Sequence, residues 1–143
     1  MKIWLVIKGG VDNVSENVKI TPSLEMYLET IFFLGKMNGT VRMTDVAAEM
    51  SVSKPSVNKA IKILKQQGYV FHEHYGAITL TDEGMKAANV VMSKHIILKQ
   101  LLHELIGVDE EVAEQEACKI EHIISADTLE KISDYIHKNK NSK

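Results

Sequence analysis

Apolar residues recur at helical spacing through most of this chain, and the residues between the apolar stripes mark where each helix starts and stops. Leu24, Tyr27, Leu28, Ile31 and Leu34 lie on one such stripe. Thr21 precedes it as a cap, Pro22 is tolerated in its first turn, and Asn38-Gly39 ends it. A short helix is predicted over residues 43–50, capped by Thr44 or a neighbour, with Val46, Ala47 and Met50 inward. After the turn Ser51-Val52-Ser53, a third helix begins near Lys54-Pro55 with Ser53 as N-cap. Val57, Ile61 and Leu64 form its buried stripe, and Gly68 terminates it.

The period then changes from helix to strand. Residues 69–72 and 77–80 are β-prone runs around Glu73-His74-Tyr75-Gly76, a hairpin pattern. Thr81 or Asp82 caps a long helix predicted to reach Ile106, with Gly107 closing it. Two more helices are expected over residues 109–124 and 126–138, with the break at Ser125 or its neighbours. Residues 1–20 stand apart, because Lys8-Gly9-Gly10 interrupts an apolar start and the polar stretch after it has no period. They read as a short strand and tether, or as an extension.

Composition narrows the class. A chain of 143 residues makes one compact domain or two very small ones. Its net charge of -2 excludes a uniformly basic nucleic-acid binder, yet the charges separate along the chain. Arg42, Lys54, Lys59, Lys62 and Lys65 face only Asp45 and Glu49 in their stretch. Glu104, Asp109, Glu110, Glu111, Glu114, Glu116 and Glu121 are opposed only by Lys119. One half suits phosphate and the other suits cations. The single cysteine excludes an internal disulfide framework and fits a reducing, cytoplasmic setting. No apolar run reaches the ~18 residues of a membrane span, and the opening apolar stretch is too short for a signal peptide.

Helix, turn, helix and hairpin in that order is the plan of a winged helix-turn-helix domain, whose second helix enters the major groove of double-stranded DNA. The predicted exposed residues of that helix are Ser53, Lys54, Pro55, Ser56, Asn58, Lys59 and Lys62. Ser56, Asn58 and Lys59 are the base-contact candidates, Pro55 suits a thymine methyl, and the remaining lysines suit phosphates. The plain alternative, a helical core with solvated lysines, does not account for the capped helix pair and the hairpin occurring together.

In the acidic half, Cys118-Lys119-Ile120-Glu121-His122 read as a helix turns by ~100° per residue, which places Cys118, Glu121 and His122 on one face. Thiolate, carboxylate and imidazole together are too soft a set for magnesium or calcium and suit a first-row transition ion. The same residues also have a plain reading, as a small buried cysteine beside a solvated Glu-His pair.

From Thr21 to about His137 the chain resembles the metal-dependent repressors of the diphtheria toxin repressor and manganese transport regulator family. The matching stretches run in order. They are Thr21-Pro22-Ser23-Leu24-Glu25-Met26-Tyr27-Leu28-Glu29, then Val46-Ala47 on to Gly68-Tyr69, then Leu80-Thr81-Asp82-Glu83-Gly84, His95, Leu105-Ile106-Gly107-Val108 and Glu116-Ala117-Cys118-Lys119-Ile120-Glu121-His122. The resemblance implies a mainly α protein, with a winged helix-turn-helix domain over 21–81 and an all-helical metal-binding and dimerisation domain over 82–143. It also implies the shorter form without an SH3-like domain.

In the iron-responsive branch, the positions of Met26, Cys118, Glu121 and His122 hold the regulatory ion. In the manganese branch, the positions of Glu29 and His95 help hold a neighbouring ion, here with Glu121. Two departures stand out: Lys99 occupies a Glu position of the iron branch's ancillary site, and Glu114 occupies a His position.

The expected function is therefore a repressor that binds operator DNA as a homodimer when loaded with a divalent transition metal. Fe(II) comes first and Mn(II) next, with Co(II), Ni(II) or Zn(II) compatible. No membrane and no small-molecule substrate is expected. Ile97, Leu101, Leu102, Ile124, Leu129 and Ile136 exceed the needs of one small core, and part of them is expected at the dimer interface. The alternative is a metal-independent winged-helix regulator that senses a small molecule or an oxidant through Cys118. An enzyme with Cys118 as nucleophile and His122 as base lacks an oxyanion donor set and a third orienting group, so the chain reads as a non-enzyme.

Overall fold

The computed structural model describes residues 20–73 and 76–141. The expectations for residues 1–19 and for His74 therefore lie outside the described residues. Two compact units divide the described chain, one over Ile20–Ala88 and one from Asn89 onward.

The first unit holds α1 (Pro22–Asn38), α2 (Met43–Met50), α3 (Lys54–Gln66), β1 (Val70–His72) and β2 (Ile78–Leu80). Helix α1 starts where its sequence says: the Thr21 hydroxyl accepts from Leu24 N at 3.2 Å, and Gly39 at φ 77° ends it. Of the cap candidates at Thr44 and its neighbours, helix α2 uses Asp45. Its first turn is closed by the Asp45 carboxylate, which accepts from Arg42 N at 2.9 Å. A carboxylate three residues into a helix can reach back to the N-cap amide, a geometry that Thr44, one residue earlier in the helix, does not have. Helix α3 has the expected Ser53 cap, accepting from Ser56 N at 3.3 Å.

Leu28, Ile31, Val46, Val57, Ile61 and Leu64 meet in one core with no more than 2% exposure each. Fully burying side chains of this kind stabilises by ~1.5–3 kcal/mol each. Strands β1 and β2 pair antiparallel, Val70 opposite Leu80 and His72 opposite Ile78. Each is one residue shorter at its start than the β-prone run. Tyr69 drops out because its amide bonds Leu64 O at 2.9 Å, finishing α3 rather than entering the strand. Ile78 N also donates to Val41 O at 2.7 Å, a link to the segment before α2 that the sequence pattern does not reveal.

The junction after the hairpin is tight. Thr81 donates its hydroxyl to Gly68 O at 2.6 Å and accepts Gly84 N at 3.0 Å, so it caps α4 (Asp82–Lys99) and pins the end of α3 with the same oxygen. Gly84 lies directly against Tyr69 O, where a Cβ would come within 1.9 Å of that oxygen.

In the second unit, α4 is followed by a π-helical segment (Gln100–Ile106), then α5 (Glu110–Ile120) and α6 (Ala126–Asn141). The expected unbroken α-helix to Ile106 is thus corrected: its last seven residues bond in the wider π pattern, ending with Gly107 N on Leu102 O and Gly107 at φ 89°. An i→i+5 register changes the phase at which side chains leave the helix, while periodicity over so few residues cannot distinguish it from an α-helix. Leu101 and Leu105 of this segment still pack on a core of Ile97, Leu98, Ala117, Leu129 and Ile136. Ile97, Leu129 and Ile136, three of the six apolar residues of which part is expected at a dimer interface, are buried in this chain's own core. Leu101, Leu102 and Ile124 remain half-buried. The expected helix over 109–124 ends at Ile120, so Glu121 and His122 lie in its terminal turn. Among the described residues, no helix is long and apolar enough to cross a membrane.

Gly84→Ala should destabilise the protein by roughly 1–3 kcal/mol, because the added methyl meets a fixed carbonyl rather than a movable side chain. Denaturant unfolding would measure this, and a midpoint unchanged from wild type would contradict the close approach of Gly84 to Tyr69.

Candidate functional site

Seven residues of the basic stretch were expected on the surface of the recognition helix, and Ser53, Lys54, Pro55, Ser56, Asn58, Lys59 and Lys62 are all exposed. They flank a face on which Val57, Ala60, Ile61 and Leu64 are buried. The hydroxyls of Ser53 and Ser56 are 2.8 Å apart, so each is partly engaged by the other at the helix start. Lys65 does something the sequence does not show: its ammonium donates to His72 O at 3.0 Å and braces the hairpin against α3. Lys54, Lys59 and Lys62 face solvent as well.

The metal candidates fall into two groups. Met26, 44% exposed, and half-buried Glu29 stand three residues apart on α1, in the first unit. Cys118, Glu121, His122 and His95 belong to the second unit and come together there. Ligand atoms of Cys118, Glu121 and His122 all lie within 4.8 Å of one another. Donors bound to one ion at ~2.0–2.3 Å can be no more than ~4.6 Å apart, so small side-chain rotations would close this set on an ion. The mixture of one thiolate, one carboxylate and one imidazole fits a transition metal.

Glu121 is the centre of the arrangement. Its carboxylate has no solvent exposure; Oε2 is 2.8 Å from His95 Nδ1 and Oε1 is 3.2 Å from His122 Nε2. The α-helical backbone of Glu121, with its amide on Ala117 O at 2.9 Å, carries the carboxylate inward just as α5 ends. Cys118, three residues earlier, is exposed.

The other face of the His95 ring extends the network. Nε2 is 2.7 Å from Glu114 Oε1, and Glu114 Oε2 is 3.0 Å from Lys99 Nζ, which also approaches Glu110 Oε1 at 3.5 Å. A carboxylate oxygen lies against each ring nitrogen, an arrangement that favours the doubly protonated imidazolium. Its pKa is raised, first by the Glu121 hydrogen bond and then by the charges of Glu121 and Glu114, against a desolvation cost that lowers it. The Lys99 ammonium, followed by His95, holds the Glu114 carboxyl below its ordinary value. Sequence reasoning noted Lys99 and Glu114 only as departures from a family pattern and left Glu110 unremarked. The signal was present in the opposite charges of the two substitutions, which together make an ion pair.

A winged helix-turn-helix unit followed by a helical unit with a Cys/Glu/His cluster is the build of a metal-responsive DNA-binding regulator. Comparison with known proteins makes the class specific. Residues 19–78 match the description "Iron dependent repressor, N-terminal DNA binding domain", and residues 81–142 match "Iron dependent repressor, metal binding and dimerisation domain". An uncharacterised HTH-type transcriptional regulator of Methanocaldococcus jannaschii is 36% identical over 122 residues, covering 85% of this chain and 98% of that protein. The HTH-type transcriptional regulator MntR of Bacillus subtilis is 34% identical over 116 residues, covering 81% of each chain. Among solved structures, a manganese-dependent transcriptional repressor in complex with manganese superposes with a TM-score of 0.72 at 28% identity, over 80% of this chain and 52% of that one. The metal-dependent transcriptional regulator MtsR gives 0.73 at 26% identity, over 82% of this chain and 55% of that one. The chain thus spans little more than half the length of these two solved relatives. It belongs to the iron-dependent repressor family, the metal-dependent transcriptional repressors of the diphtheria toxin repressor and manganese transport regulator type.

The network sets a pH dependence for the metal-free protein. A raised His95 pKa stabilises the fold fully below the unfolded value of ~6.5, and the contribution is lost as pH rises through the folded value. The lowered Glu114 pKa acts oppositely, stabilising above its unfolded value and failing as pH falls through the folded one. An NMR titration of the His95 ring should give a midpoint above that of a histidine in an unfolded peptide. A midpoint at or below it would show that the carboxylates do not hold the ring.

Proposed function

We propose that this protein is a repressor that binds double-stranded operator DNA as a homodimer when loaded with a divalent transition metal, Fe(II) first and Mn(II) next. The observation that carries the reading is the convergence of Cys118, Glu121 and His122 within 4.8 Å, in a protein that also presents a recognition helix. Cys118, Glu121 and His122 would hold the ion, which supplies a fixed positive charge at the buried Glu121 carboxylate. Met26 joins this set, and Glu29 with His95 would share Glu121 with a neighbouring ion; both assignments follow their positions in the family motif. We assign DNA binding to residues 21–81 and metal binding with dimerisation to 82–143, in a cytoplasmic, non-enzymatic protein. Polarizable sulfur on Met26 and Cys118 favours Fe(II) over Mn(II) and leaves Co(II), Ni(II) and Zn(II) compatible.

Where operator binding depends on metal, metal occupancy and operator binding are linked equilibria. A thiol must lose its proton and an imidazolium must become neutral to act as ligands, so loading the site releases protons. On the DNA side, Ser53, Lys54, Pro55, Ser56, Asn58, Lys59 and Lys62 form the proposed contact surface. Ser56, Asn58 and Lys59 address base edges, and Lys54 and Lys62 address phosphates.

Operator binding should therefore require metal and weaken steeply with salt, as expected when lysines displace counterions from phosphates. Gel shift or fluorescence anisotropy under anaerobic conditions would measure it, and equal affinity in chelator and in Fe(II) would refute the metal dependence. In the same assay, Lys59→Ala should cost roughly 1–3 kcal/mol and relax preference at one base pair. A uniform loss across sequences would move Lys59 to the phosphate set.

Met26→Asp should shift the activation ratio toward Mn(II) by roughly tenfold, since an oxygen donor replaces a thioether. An unchanged Fe(II)-to-Mn(II) ratio would mark Met26 as core filler.

A further inference from the structure

Helix α5 presents Glu110, Glu114 and Glu121 along one stripe, since offsets of four and seven residues at ~100° each return to nearly the same direction. Against that stripe α4 sets His95 and, one turn later, Lys99. The order of contacts is regular: Lys99 spans Glu110 and Glu114, while His95 spans Glu114 and Glu121. The three carboxylates are met by one permanent cation, Lys99, and by the imidazoles of His95 and, at Glu121, His122.

We propose that Lys99 is a tethered cation that competes with a second metal ion for the His95–Glu114 end of this network, and so determines how tightly the chain takes more than one ion. The inference rests on the metal-centre reading and concerns what lies beside the Cys118 centre. A second ion that shares Glu121 with His95 must draw that ring from its present partners, and Glu114, 2.7 Å from Nε2, is itself held by the Lys99 ammonium at 3.0 Å. The ammonium is anchored one helical turn from His95, so its local concentration does not fall when the solution is diluted. An incoming dication must also meet the field of a fixed positive charge. Lys99 touches neither Cys118 nor His122 in this network, so the first ion is outside its reach. Wild type should accordingly take one ion tightly and any second ion weakly.

The test uses the full chain and Co(II). A thiolate-to-metal absorption band reports an ion bound to Cys118, and calorimetry reports the total stoichiometry and each affinity. Lys99→Gln keeps the length of the side chain and removes its charge. It should raise the affinity for a second Co(II) by roughly tenfold or more with no growth in the thiolate band, while the first ion is unchanged. Lys99→Arg should retain the wild-type pattern because it restores the charge. Circular dichroism establishes that each variant is folded, and the Arg variant keeps the comparison valid if the Gln variant is less stable. If Lys99→Gln binds a second ion no more tightly than wild type, or if wild type already binds two ions with equal affinity, the proposal is overturned. A wild type that binds Co(II) with no thiolate band would instead refute the Cys118 centre on which the proposal rests.

Discussion

A carboxylate removed from water has to be compensated, because the effective penalty for burying an uncompensated charge is several kcal/mol. Glu121 is such a group. Its side chain has no exposure, and its two oxygens are met by the rings of His95 and His122. That requirement organises the second unit. Helix α5 has to end where Glu121 can turn inward, α4 has to deliver His95 opposite it, and Glu114 has to meet the far side of that imidazolium. Lys99 in turn meets Glu114. In the metal-free protein the two imidazoles face the carboxylate; on the proposed reading, a divalent ion held by Cys118, Glu121 and His122 would supply compensating positive charge at the same place.

The first unit is built on a different principle. Its stability comes from an apolar core, and its precision comes from short polar contacts at the joints. One threonine oxygen caps α4 and holds the end of α3. Gly84 lets α4 start directly against Tyr69 O, where no larger residue fits. Lys65 ties the hairpin to the recognition helix.

Much of this was legible in the sequence, for local reasons. Thr21, Ser53 and Gly68 act within a turn of their own positions, so caps and stops could be read directly, and Val57, Ile61 and Leu64 share a face by spacing alone. The turn from Cys118 to His122 was legible for the same reason. What escaped depends on the third dimension. The bond from Ile78 N to Val41 O joins residues far apart in the chain. The π register after Lys99 leaves no mark on an apolar pattern this short. Glu121 could be named as a ligand type, but its complete burial depends on what α4 places opposite it. Lys99 and Glu114 each looked like an isolated departure because nothing in a linear reading pairs positions on two different helices. Of the six apolar residues expected to serve both a core and a dimer surface, Ile97, Leu129 and Ile136 close the unit's own core, a division that spacing alone does not draw.

The central claim is that metal at the Glu121 centre and operator at the recognition helix are coupled states of one protein. Thermodynamic linkage makes this quantitative, because a metal that tightens operator binding by some factor must itself be tightened by operator by the same factor. The direct measurement is metal affinity by competition with a calibrated chelator, in the absence and in the presence of saturating operator DNA, set beside operator affinity with and without metal. The account predicts that operator tightens metal, by a factor that closes the cycle. A metal affinity indifferent to operator would contradict it.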